Sequence, residues 1–173
     1  MSNLQKLRGD HGQNTAVRAL EALGVNMVEK IGTPVKLVPY HLGARRDVYR
    51  VIWGKKVSGD HRGLLANGVS VLAETKTILD RNLRYSDLRE HQPGKLQEHA
   101  DSKGLSLLVW VHSSGVYVMR WPIDGFGPGK SIGVDCAENE HRETVAYISA
   151  VTDEHQRQVD YEAAVFMQPA EAV

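Results

Sequence analysis

The chain has 173 residues, 42% of them hydrophobic and 24% charged, which suffices for one well-buried domain and is short for two. A formal net charge of zero conceals an asymmetry: residues 1–121 carry 18 Lys and Arg against 11 Asp and Glu, whereas residues 122–173 carry 3 against 10. Cys136 is the single cysteine, so an intrachain disulfide and a thiolate zinc site are excluded. With no long apolar run and no apolar leader core, the expectation is a soluble, cytoplasmic protein.

The basic body suits a polyanionic partner, because each phosphate neutralised releases counterions. The first dozen residues, with Lys6, Arg8, Gly9 and Gly12, read as a mobile basic arm. Asn14 or Thr15 is then a cap for a helix in which Val17, Leu20 and Leu23 recur at three-residue spacing, ending at Gly24. Val25 to Val28 extends that helix or opens a strand, and Pro34 keeps the next stretch out of a helix interior. Tyr40 to Lys56 is basic and aromatic, and Val48, Tyr49, Val51, Ile52 and Trp53 fit an ordinary strand.

Gly68 to Thr77 reads as a strand with Val69, Val71, Ala73 and Thr75 on the face packed against a helix. Ile78 to Glu90 is a polar connection with several arginines. His91-Gln92-Pro93 opens a helix with Leu96 and Ala100 inward, stopped by Lys103-Gly104. Leu105 to His112 and Val116 to Trp121 form strands joined at Ser113-Ser114-Gly115, with Trp110, Tyr117 and Trp121 in the core. Pro122 to Lys130 is a glycine-bearing loop, and Glu138 to Phe166 is mostly helical. No P-loop, dinucleotide fingerprint or Gly-x-Ser-x-Gly elbow occurs, and nothing in the sequence brings its serines and histidines together.

One stretch calls for a chemical explanation. Glu74 and Lys76 lie two apart and share a strand face, toward which the turn Ser58-Gly59-Asp60 brings a second carboxylate. Two carboxylates and an ammonium suit a Mg²⁺-dependent phosphodiesterase, because a hard cation takes oxygen ligands and keeps several waters. In that reading Asp60 and Glu74 bind the metal, and Lys76 serves the attacking water or the transition-state charge. A solvated Glu–Lys pair on a strand is the plain alternative.

Four blocks in order add to this: Glu29-Lys30-Ile31-Gly32-Thr33-Pro34-Val35-Lys36-Leu37-Val38, Ser58-Gly59-Asp60-His61-Arg62-Gly63, Ala73-Glu74-Thr75-Lys76-Thr77, and His91-Gln92 ahead of a helix and the strand Leu105 to Val111. In these, over roughly residues 28–121, the chain resembles the RecU-type Holliday junction resolvases of the PD-(D/E)XK nuclease superfamily. The resemblance implies an α/β fold with a restriction-endonuclease-like core, a central mixed sheet of about four or five strands flanked by helices. It also implies a strand through Lys30, a turn at Gly32-Thr33-Pro34 and an extended run from Val35 to Pro39.

For the site it implies a Mg²⁺ (or Mn²⁺) endonuclease acting on four-way DNA junctions as a homodimer, with Asp60, Glu74, Lys76 and Gln92 catalytic and Asp60 and Glu74 holding the metal. Lys30, Thr33, Arg45, Arg46, Arg62, Arg81 and Arg84 become candidate DNA contacts, and residues 40–56 a candidate projecting stalk. The family's additional helix acid has no clear counterpart: Glu21 is the nearest acid and Gln13 the nearer position. Residues 1–121 are then the nuclease core, and residues 122–173 an acidic extension of the same domain or a contact for a second copy or partner. A nuclease of the same fold with another DNA substrate, and a DNA-binding module that does not cut, remain as alternatives.

Overall fold

The computed structural model describes residues 3–31, 35–39, 49–53 and 59–166, with side chains for residues 10–31 and 59–158. Its centre is a five-stranded mixed sheet in the order β1-β4-β5-β7-β8, built from β1 (Asn26–Lys30), β4 (His61–Leu64), β5 (Ser70–Thr77), β7 (Leu105–His112) and β8 (Gly115–Arg120). Every neighbouring pair is antiparallel except β5 with β7. A parallel pair needs a crossover, and α2 (His91–Asp101) supplies it. The sequence expectation of an α/β fold with a mixed central sheet is met.

β7 is buried over nearly its whole length, as a strand covered on both faces must be. Leu105, Leu107 and Val109 join Val71 and Ala73 of β5, Ala16 and Leu20 of α1 (Asn3–Ala22) and Ile148 of α3 (Val134–Phe166) in one core layer. Leu108 and Trp110 join Leu96 of α2, Met119 and Trp121 in the other. The odd parity of β5 therefore packs on α1, as its small and β-branched residues predict, and the even parity, carrying Leu72, Glu74 and Lys76, faces α2.

Several boundaries differ from expectation. α1 starts at Asn3, so residues 3–12, expected as an arm, are helical, and Thr15 caps nothing: its hydroxyl bonds back to His11 O at 2.9 Å. Gly12 is kept in this helix by close approach, since a Cβ there would strike Thr77 of β5. The stop after α2 is Lys103, with φ +67°, and not Gly104; Gly104 is needed instead because a Cβ would run into the His99 ring. The connection from Ile78 to Glu90 is less polar than it reads, because Leu83 and Leu88 anchor it in the core. It contains β6 (Leu83–Arg84), paired with β9 (Ser131–Ile132), and one 3₁₀ turn at Tyr85–Asp87.

β2 (Val35–Pro39) and β3 (Tyr49–Trp53) pair antiparallel as a separate two-stranded ribbon, outside the ladders of the main sheet. Tyr49 to Trp53 is thus a strand, while the expected turn at residues 32–34 and the rest of the stretch 40–56, the candidate stalk, lie outside the described residues.

The helix at the C-terminal side begins at Val134, four residues earlier than the charge pattern suggests. It does a specific job on edge strand β8, whose outward N–H groups would otherwise be open to another strand. His141 Nδ1 accepts Val118 N–H at 3.1 Å, and Thr144 Oγ accepts Arg120 N–H at 2.9 Å while donating to Glu140 O. Ile123, Phe126, Ile132 and Ala137 enter the same core cluster as Trp110, and Ile148 enters the other, so the loop after β8 and the first half of α3 are part of the core. No helix among the described residues is long and apolar enough to cross a membrane.

Candidate active site

β5 and α2 build the site between them. Glu74 and Lys76 project from the same face of β5, and Gln92 comes down from the first turn of α2. Lys76 Nζ lies 2.9 Å from Glu74 Oε1 and donates to Gln92 Oε1 at 2.8 Å. Gln92 Nε2 donates in turn to Glu74 Oε1. Three side chains close a ring, with Glu74 only 2% exposed.

Asp60 arrives from the turn before β4. Gly59 takes φ +80°, which only a glycine adopts without strain, and this reversal fixes the chain between Asp60 N–H to Ala73 O and Ile31 N–H to Asp60 O, both 2.8 Å. The carboxylate is oriented by the backbone of β5 itself: Asp60 Oδ2 accepts Thr75 N–H at 2.9 Å. His61, fully buried on the opposite parity, lies 3.4 Å from Thr75 Oγ through Nδ1, while its Nε2 has no partner.

The electrostatics follow from this packing. Burial raises the Glu74 carboxyl above its ordinary range and the Asp60 charge adds to the rise, while Lys76 opposes both. Burial also lowers His61, helped by Lys30 and opposed by Asp60, so the imidazole stays neutral. A buried carboxylate beside a second one, with a single ammonium and a glutamine as its partners, forms an anionic site with too little positive charge of its own. A divalent cation is the counter-charge such a pair accepts.

The bonding leaves a defined set of free valences. Both contacts to Glu74 fall on Oε1 and the one to Asp60 falls on Oδ2, so Oε2 and Oδ1 remain as oxygen donors. Lys76 has used two of its three N–H groups. Gln92 Oε1 is saturated, because it also accepts Arg89 N–H at 2.7 Å at the start of α2, so the glutamine braces the cluster and the helix N-terminus at once. No set of three or more His, Cys, Asp or Glu side chains gathers as a metal cluster among the described residues. Asp60 and Glu74 alone suit an ion that takes most of its shell from water.

The candidate DNA contacts are distributed less simply. Lys30 is exposed at the end of β1, opposite His61. Arg62 is exposed but paired with Glu29 at 2.8 Å, and Arg81 is held by both oxygens of Asp87 at 2.8 Å, so each carries an offset charge. Arg84 is exposed at a small cleft with Ser86, Gly129, Lys130 and Ser131. Thr33, Arg45 and Arg46 lie outside the described residues. Glu21 is an exposed residue near the end of α1, as expected, and Gln13 Oε1 is buried without a partner.

Thr75, His61 and Arg89 are not legible in the sequence as site residues. Thr75 and Arg89 act through backbone N–H groups, which carry no residue-type signal. No protein-family model and no curated protein matches the chain, so what the cluster does is read from its own chemistry.

Proposed function

We propose that this protein is a Mg²⁺- or Mn²⁺-dependent, structure-selective DNA endonuclease with a restriction-endonuclease-like core, cutting four-way junctions as a homodimer. The observation that carries the reading is the ring Glu74–Lys76–Gln92, with Asp60 anchored to the next backbone N–H of the same strand. Asp60 Oδ1 and Glu74 Oε2 would hold the cation. When bound, such a cation supplies Lewis acidity to a phosphodiester and acidifies water.

The chain's own groups do the rest. Lys76, fixed by two acceptors, has one N–H left to orient the attacking water or to offset charge on the phosphoryl oxygens. Gln92 keeps that ammonium from drifting and ties it to α2. Exposed Lys30 and Arg84, with Arg62, Arg81, Arg45, Arg46 and Thr33, are the proposed phosphate contacts, and a twofold dimer would present two equal sites to a symmetric junction.

The test is a labelled four-way junction with Mg²⁺ or Mn²⁺. Paired symmetric nicks are expected from the wild type, and Asp60→Asn or Glu74→Gln should abolish them while leaving junction binding in place. Wild-type cutting rates in both variants would remove the site from the chemistry. Products from flaps but not junctions would move the substrate within the same fold, and a stable shift with no products would leave a DNA-binding module.

A further inference from the structure

The face of β5 that carries Glu74 and Lys76 has a second polar cluster at its other end, and α2 completes that one too. Ser70 Oγ lies 3.0 Å from His99 Nε2, His99 Nδ1 lies 2.9 Å from Ser106 Oγ, and Ser106 donates its hydroxyl proton to Leu96 O at 2.7 Å. The last bond sets the direction of the others. With its proton committed to a carbonyl, Ser106 can only accept from His99, so Nδ1 carries the imidazole proton and Nε2 presents a lone pair to the Ser70 hydroxyl. A hydroxyl, a neutral imidazole in the tautomer of a general base, and a third group that fixes that tautomer are the parts of an activated serine.

The surroundings fit the same chemistry. Ser106 is buried on β7, and Gly104 lets the chain pass directly against the His99 ring, so the ring is held from two sides. Burial lowers the imidazole's proton affinity, which keeps it a base at neutral pH. Ser70 is exposed and opens, with His99, on a groove of about 600 Å³ walled by Met27, Ile31, Leu64 and Leu72. That volume is in the range of small-molecule sites. Arg62 lines the groove as well, with its Nε and Nη2 donating to Glu29.

We propose that Ser70 is a nucleophilic serine with His99 as its base, Ser106 as the residue positioning that base, and the Met27–Leu72 groove as the subsite for the aliphatic part of an acyl ester. In the reaction Ser70 Oγ bonds to the ester carbonyl carbon and its proton passes to His99 Nε2. The alcohol leaves with that proton, and water then releases the acid through the same base. The proposal does not rest on the nuclease reading: Ser70, His99 and Ser106 belong neither to the Asp60–Glu74 site nor to its phosphate contacts, and Arg62 at the groove wall is the one shared residue.

The experiment uses the full chain and two probes, an alkyl fluorophosphonate and a short-chain p-nitrophenyl ester. With the first, Ser70 Oγ bonds to phosphorus and fluoride leaves. Intact-mass and peptide mapping should find one adduct per chain, on Ser70, and ester hydrolysis should saturate with substrate. Ser70→Ala should lose both, and His99→Gln should slow labelling by about a hundredfold or more while keeping a wild-type melting curve. Ser106→Ala should lower the limiting rate of labelling and leave the half-saturating probe concentration unchanged, a split that a merely structural role would not produce. No adduct on wild-type Ser70 after prolonged exposure, or equal ester hydrolysis by Ser70→Ala, overturns the proposal without reference to any DNA assay.

Discussion

Lys76→Met keeps most of the side chain's length and removes its charge and its N–H donors, leaving Glu74 at 2% exposure with Gln92 as its remaining side-chain donor. A carboxylate stranded in this way escapes by taking up a proton. Protonation at pH 7 of a group whose unfolded pKa is about 4.3 costs about 1.4 kcal/mol per pH unit, so the destabilisation is capped near 4 kcal/mol at pH 7 and near 1 kcal/mol at pH 5. The sign follows from the direction of the shift. Glu74 is raised in the folded state, so its contribution is fully present below the unfolded pKa and is lost as pH rises through the folded one; removing Lys76 moves that folded value further up. Urea unfolding of the wild type, Lys76→Met and the double variant Lys76→Met/Glu74→Gln at pH 5, 6 and 7 reads the effect. The gap between wild type and single variant should widen with pH, and the second substitution should recover most of it. A gap that is equal at all three values, with the double variant as unstable as the single, would refute the coupling.

Three further outcomes are expected. Gly59→Ala forces a φ of +80° on a residue with a Cβ that would also approach Leu72 Cδ1 to 2.5 Å, so it should cost about 1–2 kcal/mol or more and misplace Asp60, read as a lower melting temperature together with slower cleavage. Hydrogen bonds from Arg81 hold the Asp87 carboxyl below its usual range, so its contribution is present above the unfolded pKa and fades as pH falls; Asp87→Asn should flatten the acid limb of stability below about pH 4, and superimposable acid titrations would count against the pair. Replacing Arg45 and Arg46 together by Gln should weaken junction binding and reduce the slope of log affinity against log salt by about 0.9 for each phosphate no longer neutralised, whereas an unchanged slope marks two solvated arginines.

The even-parity pair Glu74 and Lys76, the small odd-parity residues beside them, and Pro93 in the first turn of α2 are legible because alternation and end signals are local properties of the chain. The apolar run of β7 and its hairpin to β8 are legible for the same reason. The helical start of the chain reads as an arm because Gly9 and Gly12 look like breakers, and only the approach of Gly12 to Thr77 shows why a glycine belongs inside a helix there.

Sequence alone determined that a carboxylate and an ammonium share one face of a strand, since a period of two requires it. It could not determine that Gln92 closes the ring, that Thr75 N–H aims Asp60, or that α3 seals the edge of β8, because each joins residues far apart in the chain through folding. The Ser70–His99–Ser106 relay is the sharpest case. Its members are separated by 29 and 7 positions, and it exists only because α2 runs back along β5, setting its first turn against Glu74 and its last against Ser70.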